Sequence, residues 1–201
     1  MRTKVLAAVG VFVALGVTMA QAADNSAALE LIRKECSTCH GPRGISVAPT
    51  FPNLAGQQAV YLEAQLRAFR DHSRADPHAQ AFMWGMAAQL TDATIKDIAV
   101  YLAAQPPARG RPADPTEVAA GKKIYEEGLP AQSVPACQSC HRLNAEGNGP
   151  FPRLAGQHRR YLEKQLEVFA TNLRANEIMH ATAQSLTALQ ISQLAAFLSA
   201  Q

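Results

Sequence analysis

Hydrophobic positions recur along most of the chain at the spacing of amphipathic helices. Within 91–105, four apolar residues follow the i, i+3, i+4, i+7 pattern that lines one helical face, namely Ile95, Ile98, Ala99 and Leu102. The last segment repeats the pattern with Ile191, Leu194, Ala195 and Leu198. Helices are also predicted over 28–36, 57–71, 115–127 and 157–173. No segment reads as a convincing strand, so the predicted fold class is all-α.

The chain carries the same sequence blocks twice, in the same order. CSTCH at 36–40 returns as CQSCH at 137–141, FPNLAGQ at 51–57 as FPRLAGQ at 151–157, and YLEAQL at 61–66 as YLEKQL at 161–166. Such self-similarity indicates a duplicated domain. Between the copies, 106–115 is rich in proline and predicts a stiff, extended linker. We therefore predict a first half over 23–105 and a second half over 116–201.

Polar residues mark the start of the last helix in each half. Thr187 and Gln190 fit a capping box, in which each side chain accepts a backbone N–H of the other residue. Thr91 occupies the equivalent position in the first half and is predicted to cap its helix without such a partner.

The first 22 residues have the features of a secretory signal peptide. Arg2 and Lys4 precede an uncharged apolar run over 5–20, and an Ala-Gln-Ala site ends at Ala22. A retained anchor helix is the alternative, although the run is shorter than the roughly 20 residues of a membrane span. We expect cleavage after Ala22 and export to the periplasm.

Composition excludes several classes of protein. The 201 residues carry a formal net charge of +3 and have no block of Lys or Arg, which disfavours nucleic-acid binding. A charged fraction of 17% is low for a disordered chain, and four cysteines are few for a disulfide scaffold. Alanine-rich stripes and 6% aromatic residues leave little apolar area for a core. Something besides side chains is therefore expected to fill it.

Two Cys-x-x-Cys-His motifs carry the candidate chemistry. This spacing is the c-type haem attachment signature, in which both cysteines form thioethers and the histidine binds iron. The predicted groups are Cys36, Cys39 and His40, and then Cys137, Cys140 and His141. Zinc, a redox dithiol and disulfides are weaker alternatives, because zinc sites use two separated ligand pairs, redox dithiols occur beside strands, and disulfides need no histidine. We predict two covalently bound haem c groups.

Two methionines are candidates for the second axial iron ligand. Met83 lies seven residues before Leu90, and Met179 lies seven residues before Leu186. Methionine often fills irregular gaps in a core, but its recurrence at the same place in both halves favours iron ligation. The iron-ligand set is thus predicted as His40 with Met83 and His141 with Met179.

Other methionines and histidines are assigned lesser roles. The equivalent of Met86 is Thr182, so Met86 is expected to pack rather than to bind iron. A copper site of His78, Met83 and Met86 is a weaker alternative, because thioethers suit Cu(I) but the second half has no counterpart. The other histidines are expected at surfaces or edges, namely His72, His158 and His180.

Taken together, the duplicated motifs resemble the dihaem cytochromes c4 over essentially the whole chain after residue 22. The resemblance implies two tandem class I cytochrome c domains related by a pseudo-twofold axis. It implies that the carbonyls of Pro52 and Pro152 bind the histidine that follows each cysteine pair. It also implies that four residues line the propionate side of the haems, namely Tyr61, Gln65, Tyr161 and Gln165. The first half departs from the second by four extra residues, expected as a longer loop around 76–78.

The resemblance implies an electron carrier rather than an enzyme. Its partners would be membrane respiratory complexes and a terminal oxidase, with no nucleic acid and with membrane association that is loose if present. The alternative is a dihaem electron-accepting subunit of a periplasmic dehydrogenase, such as the flavin-containing sulfide-oxidising type. A peroxidase is disfavoured, because it needs an open coordination position on one haem.

Overall fold

The computed structural model describes residues 27–201, which form nine helices joined by loops and short turns. The first half contains α1 (27–40), α2 (Ala59–Arg70), α3 (77–87) and α4 (Asp92–Ala103). The second half contains α5 (Pro115–Glu127), α6 (Gln138–His141), α7 (Arg159–Ala170), α8 (Glu177–Ala183) and α9 (Ala188–Ser199). Within this part of the chain, β-type pairing is limited to two isolated bridges. The all-α prediction is confirmed. The predicted signal peptide lies outside the described residues.

The long helices follow the predicted segments closely. The helix over 115–127 has the predicted bounds, and the helices of 57–71 and 157–173 are shorter at both ends. The helix predicted over 28–36 continues to His40 through a π-helical turn at Ile32–Cys36. Sequence reasoning missed α3 and α8, the short helices that carry Met83 and Met179.

Both predicted helix caps are present. The Thr187 hydroxyl accepts the backbone N–H of Gln190, whose side chain in turn accepts the backbone N–H of Thr187. Thr91 caps α4 by accepting the backbone N–H of Thr94, without the reciprocal contact.

Each half packs its first helix against its last. In the first half, Ile32 of α1 packs with Ile98 and Leu102 of α4. In the second half, Tyr125 of α5 packs with Phe197 of α9, their ring centroids 5.4 Å apart. The apolar stripes read from the sequence are therefore the faces that meet in each core.

Alanine is the most frequent residue in the cores. Ten of the 26 buried hydrophobic residues in the described chain are alanine. Alanine contributes little apolar area per residue, so these positions add little hydrophobic stabilisation. This composition agrees with the expectation of a thin core.

The proline-rich linker has no regular structure over 106–114 and runs along the second half. The backbone N–H of Arg111 donates to the Ser199 carbonyl at 2.8 Å. A side chain at Gly110 would overlap the carbonyl oxygens of Ala200 and Gln201. The linker is therefore fixed to the end of α9.

The four extra residues of the first half lie within a helix, so the prediction of a longer loop around 76–78 is wrong. Asp76 and Asn176 are equivalent helix caps, each accepting the backbone N–H three residues further on. Ala87 and Ala183, near the ends of α3 and α8, are equivalent and fully buried. The insertion thus falls between these points, where α3 contains the π-helical turn Ala79–Met83.

None of the helices within 27–201 is long and apolar enough to cross a membrane.

The residue after each motif histidine adopts a backbone conformation that suits glycine. Gly41 has φ 74° and ψ 165°, and its equivalent Arg142 has φ 72° and ψ 167°. A side chain at Gly41 would overlap the Ile45 carbonyl oxygen. A residue with a Cβ is strained in this region by about 1–3 kcal/mol. The second half therefore carries at Arg142 a strain that the first half avoids.

We expect the substitution Arg142→Gly to stabilise the haem-loaded protein. Relief of strain outweighs the extra flexibility of glycine in the unfolded chain, giving a net gain of about 1 kcal/mol. Denaturant unfolding of the haem-loaded protein measures this, with Gly41→Ala as the opposite control, expected to destabilise. An Arg142→Gly protein no more stable than the original would contradict the assignment of strain.

Candidate haem-binding sites

The first motif lies at the end of α1, where the helix places both cysteines on one face. Cys36 ends the π-helical turn, and Cys39 lies three residues later in the last turn. Side chains at positions i and i+3 of a helix share a face. Both thiols are free and partly exposed, whereas His40 is buried, with 8% of its surface exposed.

The second motif repeats this arrangement, but a loop rather than a continuous helix precedes it. Helix α5 ends ten residues before Cys137, and an isolated bridge between Leu129 and Val134 closes the intervening loop. Cys137 and Cys140 are free and partly exposed, and His141 is buried. The two sites are thus alike at the motif although the chain reaches them by different routes.

Each motif histidine is oriented by a proline carbonyl. The Nδ1–H of His40 donates to the Pro52 carbonyl at 2.9 Å, and that of His141 donates to the Pro152 carbonyl at 3.0 Å. These are the contacts that the resemblance implied. Because Nδ1 is the donor, the neutral ring has its free electron pair on Nε2, the atom available to a metal.

The surroundings favour the neutral form of both rings. Burial lowers the pKa of His40 and His141, and this effect exceeds the opposing effect of the hydrogen bond to proline. A neutral imidazole is the form that binds a metal.

The first thiol of each motif has the opposite character to a redox-active one. Burial raises the pKa of the Cys137 thiol to about 11, and it raises the pKa of Cys36 as well. Redox-active cysteines have lowered thiol pKa values, so this observation disfavours the dithiol alternative. Within residues 27–201, no three His, Cys, Asp or Glu side chains form a cluster that could hold a metal ion, which disfavours the zinc alternative.

The two candidate axial methionines lie on equivalent short helices. Met83 is half-buried in α3 and packs against the group formed by Phe69, Ala79 and Ala87. Met179 is half-buried at the start of α8, where its N–H donates to the Asn176 cap at 2.8 Å.

A chain of aromatic rings joins α3 to the first motif. The His40 ring lies edge-on to Phe51 at 6.1 Å between centroids, and Phe51 lies edge-on to Phe82 at 5.3 Å. Phe82 directly precedes Met83, so α3 lies near the motif histidine. The second half repeats the first contact, between His141 and Phe151 at 6.4 Å.

Three expectations about other side chains need correction or refinement. Met86 is 45% exposed rather than packed in a core. His158 is 3% exposed, so its placement at a surface is wrong, and its Nε2–H donates to the Ser46 carbonyl of the other half at 3.1 Å. The Nδ1–H of His180 donates to the Phe169 carbonyl at 2.8 Å.

Two arginines are buried where the two halves meet, and sequence reasoning missed both their burial and their equivalence in the repeat. Arg74 pairs with the buried Asp76 at 2.9 Å and donates to Gln165 of the other half at 3.0 Å. Arg174 donates to Tyr61 and Gln65 of the first half at 2.8 and 2.7 Å. The signal was available, because Arg74 and Arg174 are separated by the same 100 positions as the duplicated Tyr-Leu blocks.

Each of these arginines lies above an aromatic ring, and both lower the pKa of Tyr61. The guanidinium carbon of Arg74 lies 4.7 Å above the Phe69 ring, and that of Arg174 lies 4.6 Å above Phe169. Burial alone would raise the pKa of Tyr61, but the positive charges of Arg174 and Arg74 lower it. Asp76 offsets one of the two guanidinium charges, so the interface keeps a net positive charge that would suit further carboxylates.

The residues present fit covalent haem at both motifs. Each offers two free thiols on one helical turn, a neutral histidine with Nε2 available, and a core short of large side chains. A porphyrin attached by both thiols would supply the apolar area that the alanine-rich interior lacks.

Comparison with known proteins places the chain in a family. The Cytochrome c family model matches residues 27–105 and 118–201. Cytochrome c4 of Azotobacter vinelandii is 37% identical over 204 residues, which cover 96% of this chain and 97% of that protein. The solved structure of Acidithiobacillus ferrooxidans cytochrome c4 has a TM-score of 0.79 and 41% identity, covering 83% of this chain and 98% of that one.

A longer chain also contains a similar region. Thiosulfate dehydrogenase from Marichromatium purpuratum matches with a TM-score of 0.72 and 34% identity, over 82% of this chain and 36% of that one. The matches over both halves show that the chain belongs to the cytochrome c4 family of electron carriers, with two covalent haem c groups at its Cys-x-x-Cys-His motifs.

Proposed function

We propose that the protein is an exported carrier that passes single electrons between components of a respiratory chain. The observation that carries this proposal is the duplicated pair of buried histidines, each held by a proline carbonyl with Nε2 available. Such an arrangement suits a permanent iron ligand rather than an acid or base, because the ring is neutral and fixed in orientation.

Four residues would complete the two iron sites. His40 and His141 provide imidazole nitrogens, and Met83 and Met179 provide thioether sulfurs from α3 and α8. Each bound haem supplies a one-electron ferric/ferrous couple, and a His/Met ligand pair raises its reduction potential. With two protein ligands each, neither iron would offer an open position for a substrate.

The buried arginines would offset the charge that two haems bring. Two haems carry four propionates, and Arg74 and Arg174 place two positive charges where the halves meet, one of which is already paired with Asp76. The resemblance puts the propionates at this same interface. Tyr61, Gln65 and Gln165 contribute polar groups to the same network, which supports the propionate-lining role expected for them.

The periplasm is the proposed location, after removal of residues 1–22. In an oxidising compartment cysteines are usually paired in disulfides unless another group claims them. All four cysteines of this chain lie in the haem motifs and none is paired with another. Membrane respiratory complexes and a terminal oxidase are the proposed partners.

A second candidate function is that of an electron-accepting subunit bound to a periplasmic dehydrogenase. The observation that favours it is the structural match to thiosulfate dehydrogenase, in which the likeness covers about a third of that chain. The stability of the association with a catalytic chain separates the two roles.

We expect the ferric protein to show the weak long-wavelength absorption band of methionine-to-iron ligation, at two haems per chain. Met83→Ala and Met179→Ala should each remove about half of this band and leave one haem high-spin or with a substitute ligand, such as His180 beside Met179. Met86→Ala is the matched control and should leave the band unchanged. An unchanged band in either ligand variant would refute that assignment.

We expect the protein without haem to lose cooperative folding, because the alanine-rich cores bury too little apolar area. Cys36→Ala/Cys39→Ala and Cys137→Ala/Cys140→Ala each remove one attachment site. Circular dichroism during heating should show loss of one cooperative transition in each double variant. A cooperative melt of fully haem-free protein would show that side chains alone suffice.

Purification under native conditions tests the choice between the two functions. A free carrier should elute as a single chain, and reduction by a respiratory complex should be fast and sensitive to salt, as for electrostatically guided encounters. A stable 1:1 complex with a dehydrogenase chain that survives about 0.5 M salt, where the Debye length is only about 4 Å, would favour the subunit role.

A further inference from the structure

Two glutamines reach across the interface and bind the backbone of the opposite half. Gln157 accepts the N–H of Asn53 at 2.8 Å and donates to the Asn53 carbonyl at 2.9 Å. Gln57 accepts the N–H of Arg153 at 2.7 Å and donates to the Arg153 carbonyl at 3.0 Å. Both glutamines are 7% exposed. Each side-chain amide therefore makes a two-point contact with one residue of the other half.

The residue held in this way directly follows the proline that binds the motif histidine. The Asn53 N–H belongs to the same peptide group as the Pro52 carbonyl, which accepts the His40 Nδ1–H. The Arg153 N–H belongs to the same peptide group as the Pro152 carbonyl. One peptide group thus joins a glutamine of one half to the histidine of the other.

Hydrogen bonds at the two ends of a peptide group reinforce each other. An acceptor on the N–H draws electron density toward the carbonyl oxygen through amide resonance. The oxygen becomes a better acceptor, so the imidazole that donates to it becomes a more basic ligand. A more basic ligand favours ferric iron, which lowers the reduction potential. The buried setting strengthens each step, because little water screens it.

We propose that Gln157 and Gln57 are positioning residues that set the reduction potential of the haem in the opposite half. Gln157 acts on the haem of His40, and Gln57 acts on the haem of His141. The inference rests on the proposed ligation of iron by these two histidines. It also provides a physical route by which a change at the interface reaches both haems.

The two contacts are unequal. The Asn53 side chain adds two hydrogen bonds of its own, to the Gly156 carbonyl at 2.9 Å and from the Ser46 N–H at 2.9 Å. Arg153 makes no such pair, and its buried Nε is without a hydrogen-bond partner. Loss of Gln57 should therefore change the potential of the His141 haem more than loss of Gln157 changes that of the His40 haem.

The experiment compares three isosteric variants of the haem-loaded full chain. Gln157→Met and Gln57→Met keep the side-chain length and remove both hydrogen bonds. Gln58→Met is the matched control, because Gln58 also crosses the interface, donating to the Glu146 carbonyl at 3.0 Å, but does not bind the proline-linked peptide. Redox titration measures both potentials. NMR of the reduced protein assigns each change through the Nδ1–H resonances of His40 and His141.

A crossed pattern is the expected result. Gln157→Met should shift the His40 resonance and stabilise the ferrous form of that haem about threefold, which is about 28 mV for a one-electron couple. Gln57→Met should do the same, more strongly, at His141. Gln58→Met should change neither by a comparable amount. Equal shifts at both haems, a shift confined to the same half, or an equal effect of Gln58→Met would overturn the proposal.

A second substitution distinguishes tuning from simple loosening of the interface. Gln157→Glu keeps an acceptor for the Asn53 N–H and adds negative charge, so the potential of the His40 haem should fall rather than rise. A rise in both Gln157→Met and Gln157→Glu would show a structural lesion and overturn the tuning role. Absence of the methionine-ligation band from the unmodified protein would instead overturn the proposed function itself, and with it this inference.

Discussion

The hydrogen bond from each motif histidine to a proline carbonyl is the interaction on which both sites depend. This hydrogen bond determines which ring nitrogen is available to a metal. Several backbone hydrogen bonds nearby hold the proline carbonyl in place. The loop that follows the proline is tied back to the motif, because Leu54 and Ala55 both donate to the Gly44 carbonyl. Gly56 then donates to the Leu102 carbonyl at 2.9 Å, which fixes the loop to α4. Through this loop, the packed helices of the first half fix the orientation of the His40 imidazole.

Duplication repeats this arrangement without making the two sites equal. In the second half, Ala145 takes the place of Gly44 as the acceptor, and Gly156 donates to Leu198 of α9 at 3.0 Å. The first half has a longer α3 with a π-helical turn, whereas the second carries a strained Arg142 beside its histidine. The two proposed ligand sets, which are identical in residue type, therefore lie in different surroundings, and unequal haem potentials are the expected consequence. The reciprocal contacts between the halves mean that neither site is independent of the other.

Local pattern was sufficient to predict the parts of the fold that local chemistry determines. The stripe beginning at Ile95 and the capping box at Thr187 each depend on residues within one or two helical turns, and both were predicted correctly. The two motifs could be found because covalent haem attachment requires this spacing of cysteines and histidine. Met83 and Met179 became candidates only through the internal repeat, since their short helices have no periodic stripe.

Contacts between the halves were not predictable in the same way. Nothing near His158 in the sequence indicates that it is buried against the loop after the first motif. Arg74 lies beyond the end of α2 and finds partners more than 90 residues away. Such contacts depend on how two finished domains face each other, and a single sequence carries that information only as repeated polar residues such as Gln57 and Gln157.

A crystal structure of the haem-loaded protein, with iron located by anomalous scattering, tests the central claim most directly. Two irons per chain are expected, one between His40 Nε2 and the Met83 sulfur and one between His141 Nε2 and the Met179 sulfur. Each Nδ1 should remain within hydrogen-bond distance of its proline carbonyl. An iron bound to a different side chain, or a histidine turned away from its proline, would contradict the account.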